Sequence, residues 1–149
     1  MVESNKNRVI LIVDDDAEDR MLLEEALEEN QVKNTRYYVP NGEELMDYLY
    51  NRGKYSDKEK YSLPGLILLD LNMPKKDGRE VLKEVKADPK LRLIPVVVLT
   101  TSKAEEDILK TLDLGANGYI AKPVSFASLV DLTKTISDYW FDLVQLPDV

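Results

Sequence analysis

Neither cysteine nor histidine occurs among the 149 residues. The first absence excludes disulfides, thiolate nucleophiles and thiolate metal sites. The second removes the usual zinc centres and the His-dependent serine and cysteine triads. Long apolar runs are missing as well, since nothing approaches the roughly 18 residues that would span a bilayer, and residues 1–8 are polar with no signal-peptide core. Basic charge is in deficit: 20 Lys and Arg against 28 Asp and Glu give a net charge of −8. No Lys/Arg run offsets this balance, which argues against a nucleic-acid partner. What remains for chemistry is carboxylates, amines, hydroxyls and any hard metal ion they hold. Length and a 44% hydrophobic content fit one domain with an ordinary core, expected to be soluble and cytoplasmic with no membrane contact.

Between Asp14 and Glu29 lie nine acidic residues and one basic, so this segment alone carries the net charge and the remainder is neutral. It follows an aliphatic, largely β-branched run at residues 8–13 (RVILIV), which predicts a strand covered on both faces. Met21, Leu22, Leu23, Ala26 and Leu27 then give a helix over 17–29 one apolar face. A short strand follows at 35–39 (TRYYV). The turn at Pro40-Asn41-Gly42 caps a helix lined by Leu45, Met46, Leu49 and Tyr50. Residues 52–64 carry tyrosines and lysines between helix breakers and read as a long loop with a mobile, solvated character. Leu66 to Leu69 (LILL) is the third strand, and a helix with Val81, Leu82 and Val85 opens at Asp77-Gly78 and closes at Asp88-Pro89. Residues 95–99 (PVVVL) give the fourth strand, Ile108, Leu109 and Leu112 the helix after it, and 119–121 the fifth. Ser125 caps a last, extended helix reaching about Val144. Five alternating βα units predict an α/β fold, a doubly wound, five-stranded parallel sheet with helices on both faces.

Ligands of such sheets bind beyond the C-terminal ends of the strands. The residues there are Asp14, Asp15 and Asp16 after the first strand, Asp70 after the third, Thr100 after the fourth and Lys122 after the fifth. Two carboxylates about 4 Å apart repel by about 1 kcal/mol in water and more near a protein surface, so a cluster of acids needs a counter-charge. Mg2+, or Mn2+ in its place, suits oxygen ligands and leaves positions open for water and a phosphoryl group. Lys122 can supply a second positive charge, a carboxylate can accept a phosphoryl group, and the Thr100 hydroxyl can donate to a phosphoryl oxygen. A flavin mononucleotide site would instead need a phosphate cradle where this chain has acids, and a dinucleotide site a G-x-G-x-x-G string that is absent.

Asp14-Asp15, Asp70-Leu71-Asn72-Met73-Pro74 with Asp77-Gly78, Thr100 and Lys122-Pro123 together resemble the receiver domain of two-component response regulators, over residues 8–136 and in the family's order. The resemblance implies a flavodoxin-like (βα)5 fold with strand order 2-1-3-4-5. It implies Asp70 as phospho-acceptor and Asp14, Asp15, Asp70 and the backbone carbonyl of Asn72 as metal ligands. Thr100 and Lys122 would contact the phosphoryl oxygens, and the Lys122–Pro123 peptide bond would be cis, as is usual in the family. It further implies a sensor histidine kinase as phosphodonor and a switch that couples Thr100 to Tyr119, with Asn72 and Ser102 tuning the lifetime of the phosphoryl group. Asp70 stands alone after an apolar strand, whereas the adjacent acids are suited to share a cation. Asp16 reads as a helix cap and Asp77-Gly78 as a turn.

Outside that common pattern the reading is a flexible stretch at residues 1–7 and a single receiver domain over 8–149, acting alone through a diffusible partner or self-association. Neighbours in a helix point about 100° apart, so Trp140 and Phe141 cannot share one narrow stripe. Together with Tyr139 they are expected to anchor a homodimer. The loop at 52–64, the segment LTTSKAEEDI and the terminal YWFDLVQLP resemble single-domain regulators paired with bacterial phytochrome kinases. Two further readings stand beside the receiver: an Mg2+-dependent phosphatase or phosphotransferase, and a dimeric adaptor that works without phosphorylation. Asn72, at the position two residues after Asp70, carries no acidic proton for the first, and with no histidine the chain cannot itself be a phosphohistidine carrier.

Overall fold

The aliphatic runs form the centre of the sheet because both of their faces can be covered. A computed structural model of the chain describes residues 8–73, 75–101 and 104–144. Strands β1 (Ile10–Val13), β3 (Leu66–Leu69) and β4 (Val96–Thr100) are buried at every position, while the less buried β2 (Arg36–Val39) and β5 (Gly118–Ala121) form the edges. All pairs are parallel and the order is β2-β1-β3-β4-β5. Alternate residues face opposite ways. Leu11, Val13, Ile67 and Leu69 pack under helices α2 (Gly42–Leu49) and α3 (Gly78–Ala87). Ile10, Ile12, Leu66 and Leu68 pack under α1 (Ala17–Glu29) and α5 (Phe126–Ser137). Among the described residues no helix is long and apolar enough to cross a membrane.

Helix starts follow the capping signals. Asp16 accepts from the Glu18 and Asp19 N–H groups, Asn41 from Glu44, Asp77 from Arg79 and Ser125 from Ser128. Helix α4 (Glu105–Asp113) departs from expectation. Its Leu109 and Leu112 are 63% and 45% exposed, Ile108 is half-buried and Thr111 is its buried residue, so two of the three apolar positions that mark this helix do not face the core.

The segment 52–64 is exposed at most of its positions, as expected of a solvated loop, but its tyrosines anchor it to the domain. A 3-10 turn at Gly53–Tyr55 turns Tyr55 inward to 7% exposure. Tyr37, Tyr48, Tyr55 and Tyr61 then form a ring cluster with centroids 5.1–5.8 Å apart. Tyr48 Oη donates to the Ser62 carbonyl at 2.8 Å, and Asn51 Nδ2 donates to the carbonyls of Tyr55 and Tyr61. Offset and edge-on ring pairs of this kind are worth about 1 kcal/mol each beyond the area they bury. The cluster unites residues from β2, α2 and the insert, which is why local composition reads as loop.

At the C-terminal end, α5 passes into a π-helical turn over Asp138–Leu143. The wider turn carries Phe141 to the inward face, where it joins Ile136 in the α1/α5 core cluster and is 2% exposed. Phe141 therefore cannot anchor a dimer as the sequence suggested; the wider turn swings it into its own domain. Trp140 is half-buried against the same cluster, and Tyr139 remains exposed with its ring edge-on to Trp140. Residues 1–7 and 145–149 lie outside the described residues.

Helix α1 is tied to the edge strand β2 by charge. Arg36 donates from Nε and Nη2 to the two Glu24 oxygens at 2.6 and 2.8 Å, and Tyr38 Oη donates to the same carboxylate. The Arg36 hydrogen bond is the main cause that lowers the Glu24 carboxyl from an ordinary 4.5 to about 2, with burial opposing and Tyr38 assisting. A depressed folded-state pKa stabilises the protein above the ordinary value and loses that contribution as pH falls towards the folded one. Urea unfolding followed downward from neutral pH should therefore show stability falling between about pH 4.5 and about pH 2, and Glu24→Gln should flatten that part of the curve. An unaltered slope in the variant would contradict the assignment.

Candidate functional site

Parallel pairing carries the ends of β1, β3, β4 and β5 to one edge of the sheet. Val13 pairs with Leu69 and Leu69 with Val98, so the residues that follow β1 and β3 emerge side by side. The Asp70 N–H donates to the Val13 carbonyl and the Lys122 N–H to the Thr100 carbonyl, which fixes both loops to neighbouring strands. Asp14 and Asp70 are 7% and 8% exposed and Thr100 is fully buried, while Asp15 is open to solvent.

The side chains converge on Asp70. Thr100 Oγ1 donates to Asp70 Oδ1 at 3.0 Å, and the Asn72 N–H approaches the same oxygen at 3.4 Å. Lys122 Nζ lies 3.5 Å from Asp70 Oδ2 and donates to Asp14 Oδ2 at 2.7 Å and Asp19 Oδ2 at 2.9 Å. Burial pulls the Lys122 ammonium towards its neutral form, but the hydrogen bonds to Asp14 and Asp19 and the field of Asp14 and Asp70 more than offset this. Its pKa ends above the ordinary value and the group stays charged. Asp14 moves upward as well, because burial outweighs the hydrogen bonds from Lys122 and the Asp16 N–H. Asp14, Asp15 and Asp70 each place one carboxylate oxygen within 4.8 Å of the others. Three hard, anionic oxygens at that spacing fit a divalent cation such as Mg2+ or Mn2+.

Of the residues singled out from sequence, Asp14, Asp15, Asp70, Thr100, Lys122 and the Asn72 backbone come together. Asp16 and Asp77 are taken up as helix caps. Tyr119 is half-buried on β5, two residues before the strand ends. Pro74 and Ser102 lie outside the described residues. The Lys122–Pro123 bond is trans, not cis, since there is no cis peptide among the described residues. Trans is the favoured isomer by about 0.5–1 kcal/mol, and it already delivers the ammonium to the carboxylates.

Asp19 was not assigned a place at the site from sequence, and Gly78 was read only as part of a turn. Asp19 sits in the first turn of α1, one helical turn beyond Asp15, a spacing that could have marked it. At Gly78 the start of α3 presses on the acceptor loop: a Cβ there would lie 2.6 Å from the Asp70 carbonyl oxygen and 2.8 Å from the Leu71 Cα. From the same turn Arg79 pairs with Asp77 and, at 2.9 Å, with Asp107 of α4, which ties the acceptor loop to that helix.

This arrangement, acids after β1, an isolated acid after β3, a hydroxyl ending β4 and an amine after β5, defines a phosphoryl-receiving signalling domain. Residues 10–134 match the response regulator receiver domain, and the chain belongs to that family. It is 41% identical to the response regulator Rcp1 of Synechocystis sp. over 97% of each chain. Among solved structures it is similar to the phosphorylated cyanobacterial phytochrome response regulator RcpA, with 44% identity and a TM-score of 0.88 over 95% of this chain and 99% of that one. The Mn2+-bound form of Rcp1 is similar at 40% identity and a TM-score of 0.85, again over 95% and 99% of the two chains.

Lys122 is the counter-charge for a partly desolvated acid cluster, and removing one partner of such a set costs about 3 kcal/mol. Lys122→Met should lower the thermal midpoint in chelator at neutral pH. Added Mg2+ should raise the midpoint of the variant more than that of the parent, because a cation replaces the lost charge. Equal shifts in the two proteins would show that the cation and the ammonium do not serve the same carboxylates.

Proposed function

We propose that Asp70 accepts a phosphoryl group from a phosphohistidine of a sensor histidine kinase and that the modified surface relays the signal. The observation that supports this reading is the convergence of Thr100 and Lys122, from two other strands, on the two oxygens of one buried carboxylate. Asp70 Oδ1 is engaged by Thr100 and the Asn72 N–H, which leaves Oδ2 as the oxygen with electron pairs to spare. In the transfer an Asp70 oxygen attacks phosphorus, the P–N bond breaks and its electron pair returns to the kinase imidazole. Asp14, Asp15, Asp70 and the Asn72 carbonyl would hold Mg2+ or Mn2+, which supplies positive charge at the phosphoryl oxygens when bound. Lys122 neutralises a further phosphoryl oxygen from the other side.

Thr100 can donate to a phosphoryl oxygen only by leaving Asp70 Oδ1. That movement frees space beside β5, and Tyr119 turning into it would alter the surface formed with α4, where Leu109 and Leu112 are already exposed. The chain thus modifies itself rather than turning over a separate substrate, and Asn72 offers no general acid for fast hydrolysis. We read it as acting alone in the cytoplasm, as a single domain over residues 8–149, without nucleic-acid or membrane contact. Its likeness to a phytochrome response regulator supports a light-regulated kinase as donor. A homodimer would use Tyr139, 51% exposed, and Leu143, 78% exposed, with the half-buried Trp140 between them.

Incubation with acetyl phosphate should add one phosphoryl mass in the presence of Mg2+ and none in chelator, with peptide mapping placing it on Asp70. Asp70→Asn should remain unmodified, and modification elsewhere in the parent would overturn the assignment. Sedimentation across a dilution series should show a dimer that dissociates on dilution and is weakened by Tyr139→Ala. A monomer at micromolar concentration, with and without phosphorylation, would remove the dimer.

A further inference from the structure

Lys122 is shared between three acids, and one of them has no part in the reading given so far. Asp19 Oδ2 accepts from Lys122 Nζ at 2.9 Å, beside Asp14 Oδ2 at 2.7 Å, while Asp70 Oδ2 stays 3.5 Å from the same nitrogen. An ammonium has three N–H donors. Two of them are committed, one to Asp14 in the loop after β1 and one to Asp19 in α1. The approach to Asp70 is left longer than the roughly 2.8 Å of a full charge-assisted bond. Asp14 also belongs to the three-carboxylate cluster that fits a cation. Once Asp14 is engaged there, Asp19 is the acid that can still hold Lys122 back from Asp70. Its place is secure: the Asp19 N–H donates to the capping Asp16 Oδ1 at 3.0 Å, and its side chain is 40% exposed at the rim of the site.

We propose that Asp19 is a positioning residue that tethers the Lys122 ammonium and keeps it from pairing with the Asp70 carboxylate, so that this carboxylate can attack phosphorus with the ammonium still within reach of the phosphoryl oxygens. The inference rests on Asp70 being the phosphoryl acceptor. Without the tether, Lys122 closes onto the nucleophile and occupies the electron pair that must form the new bond. Loss of charge alone would act in the opposite direction. A small donor such as acetyl phosphate is an anion, and one fewer negative charge near the site eases its approach.

Phosphorylation by acetyl phosphate at saturating Mn2+ separates the two. Here an Asp70 oxygen bonds to phosphorus and the P–O bond to the acetyl group breaks, acetate leaving with the electron pair. Asp19→Asn should lower the limiting rate about tenfold with little change in half-saturation by donor, Asp19→Glu should restore most of the rate, and the neighbouring exposed Glu18→Gln should match or exceed the parent. Calorimetric titration with Mn2+ in the absence of donor should show affinity falling more in Asp19→Asn than in Glu18→Gln, because an untethered Lys122 closes onto Asp70, itself one of the three carboxylates that fit the cation. A rate for Asp19→Asn at or above the parent, an equal loss in Glu18→Gln, no rescue by Asp19→Glu, or equal Mn2+ affinity in the two variants would overturn the tether. A parent chain that acquires no phosphoryl group, or acquires it away from Asp70, would overturn the acceptor reading and the tether with it.

Discussion

The Lys122 ammonium, held between Asp14 and Asp19 and set 3.5 Å from Asp70, is the interaction on which the site depends. Buried carboxylates close together repel, and each loses hydration that only a nearby positive charge can replace. Lys122 provides that charge from the end of β5, two strands away from β3. The result is a cluster that is tolerable when empty of metal and still anionic enough to attract a divalent cation. Of the acidic segment, Asp14, Asp15 and Asp19 stand at that functional edge of the sheet, whereas Glu24 pairs with Arg36 at the start of β2.

Such placement demands rigidity behind it. Three fully buried aliphatic strands and two core clusters, one on each face, hold the strand ends in fixed register, Val13 opposite Leu69 and Leu69 opposite Val98. The acceptor loop gains further constraint from close approach at Gly78 and from the Asp77–Arg79–Asp107 links to α4. Those links join the loop that carries Asp70 to a helix that leaves leucines exposed. A change of charge at Asp70 thus has a short physical route to that exposed surface.

The fold and the centre of the site were legible in sequence to a high degree, for a reason specific to this architecture. Buried parallel strands must be apolar runs, so RVILIV, LILL and PVVVL announce themselves, and the first polar residue after each marks the ligand-binding edge. Caps such as Asp16, Asn41, Asp77 and Ser125 are equally local signals. The tyrosine cluster was not legible, because Tyr37, Tyr48, Tyr55 and Tyr61 come from three segments whose meeting no local pattern encodes. Nor was the inward turn of Phe141, which follows from a π-helical repeat where an α-helical one was assumed.

By itself the sequence determined which residues could be buried, where each strand had to end and which ionisable groups stood at those ends. Hydrophobic burial and backbone capping act over a few residues, and composition expresses them directly. Only the tertiary structure decided how Lys122 divides its hydrogen bonds among Asp14, Asp19 and Asp70, that its bond to Pro123 is trans, and that Leu109 and Leu112 face outward. Those outcomes are set by distances of a few ångströms between groups up to 108 residues apart in the chain, and Coulomb energy and packing respond to separation in space rather than along the sequence.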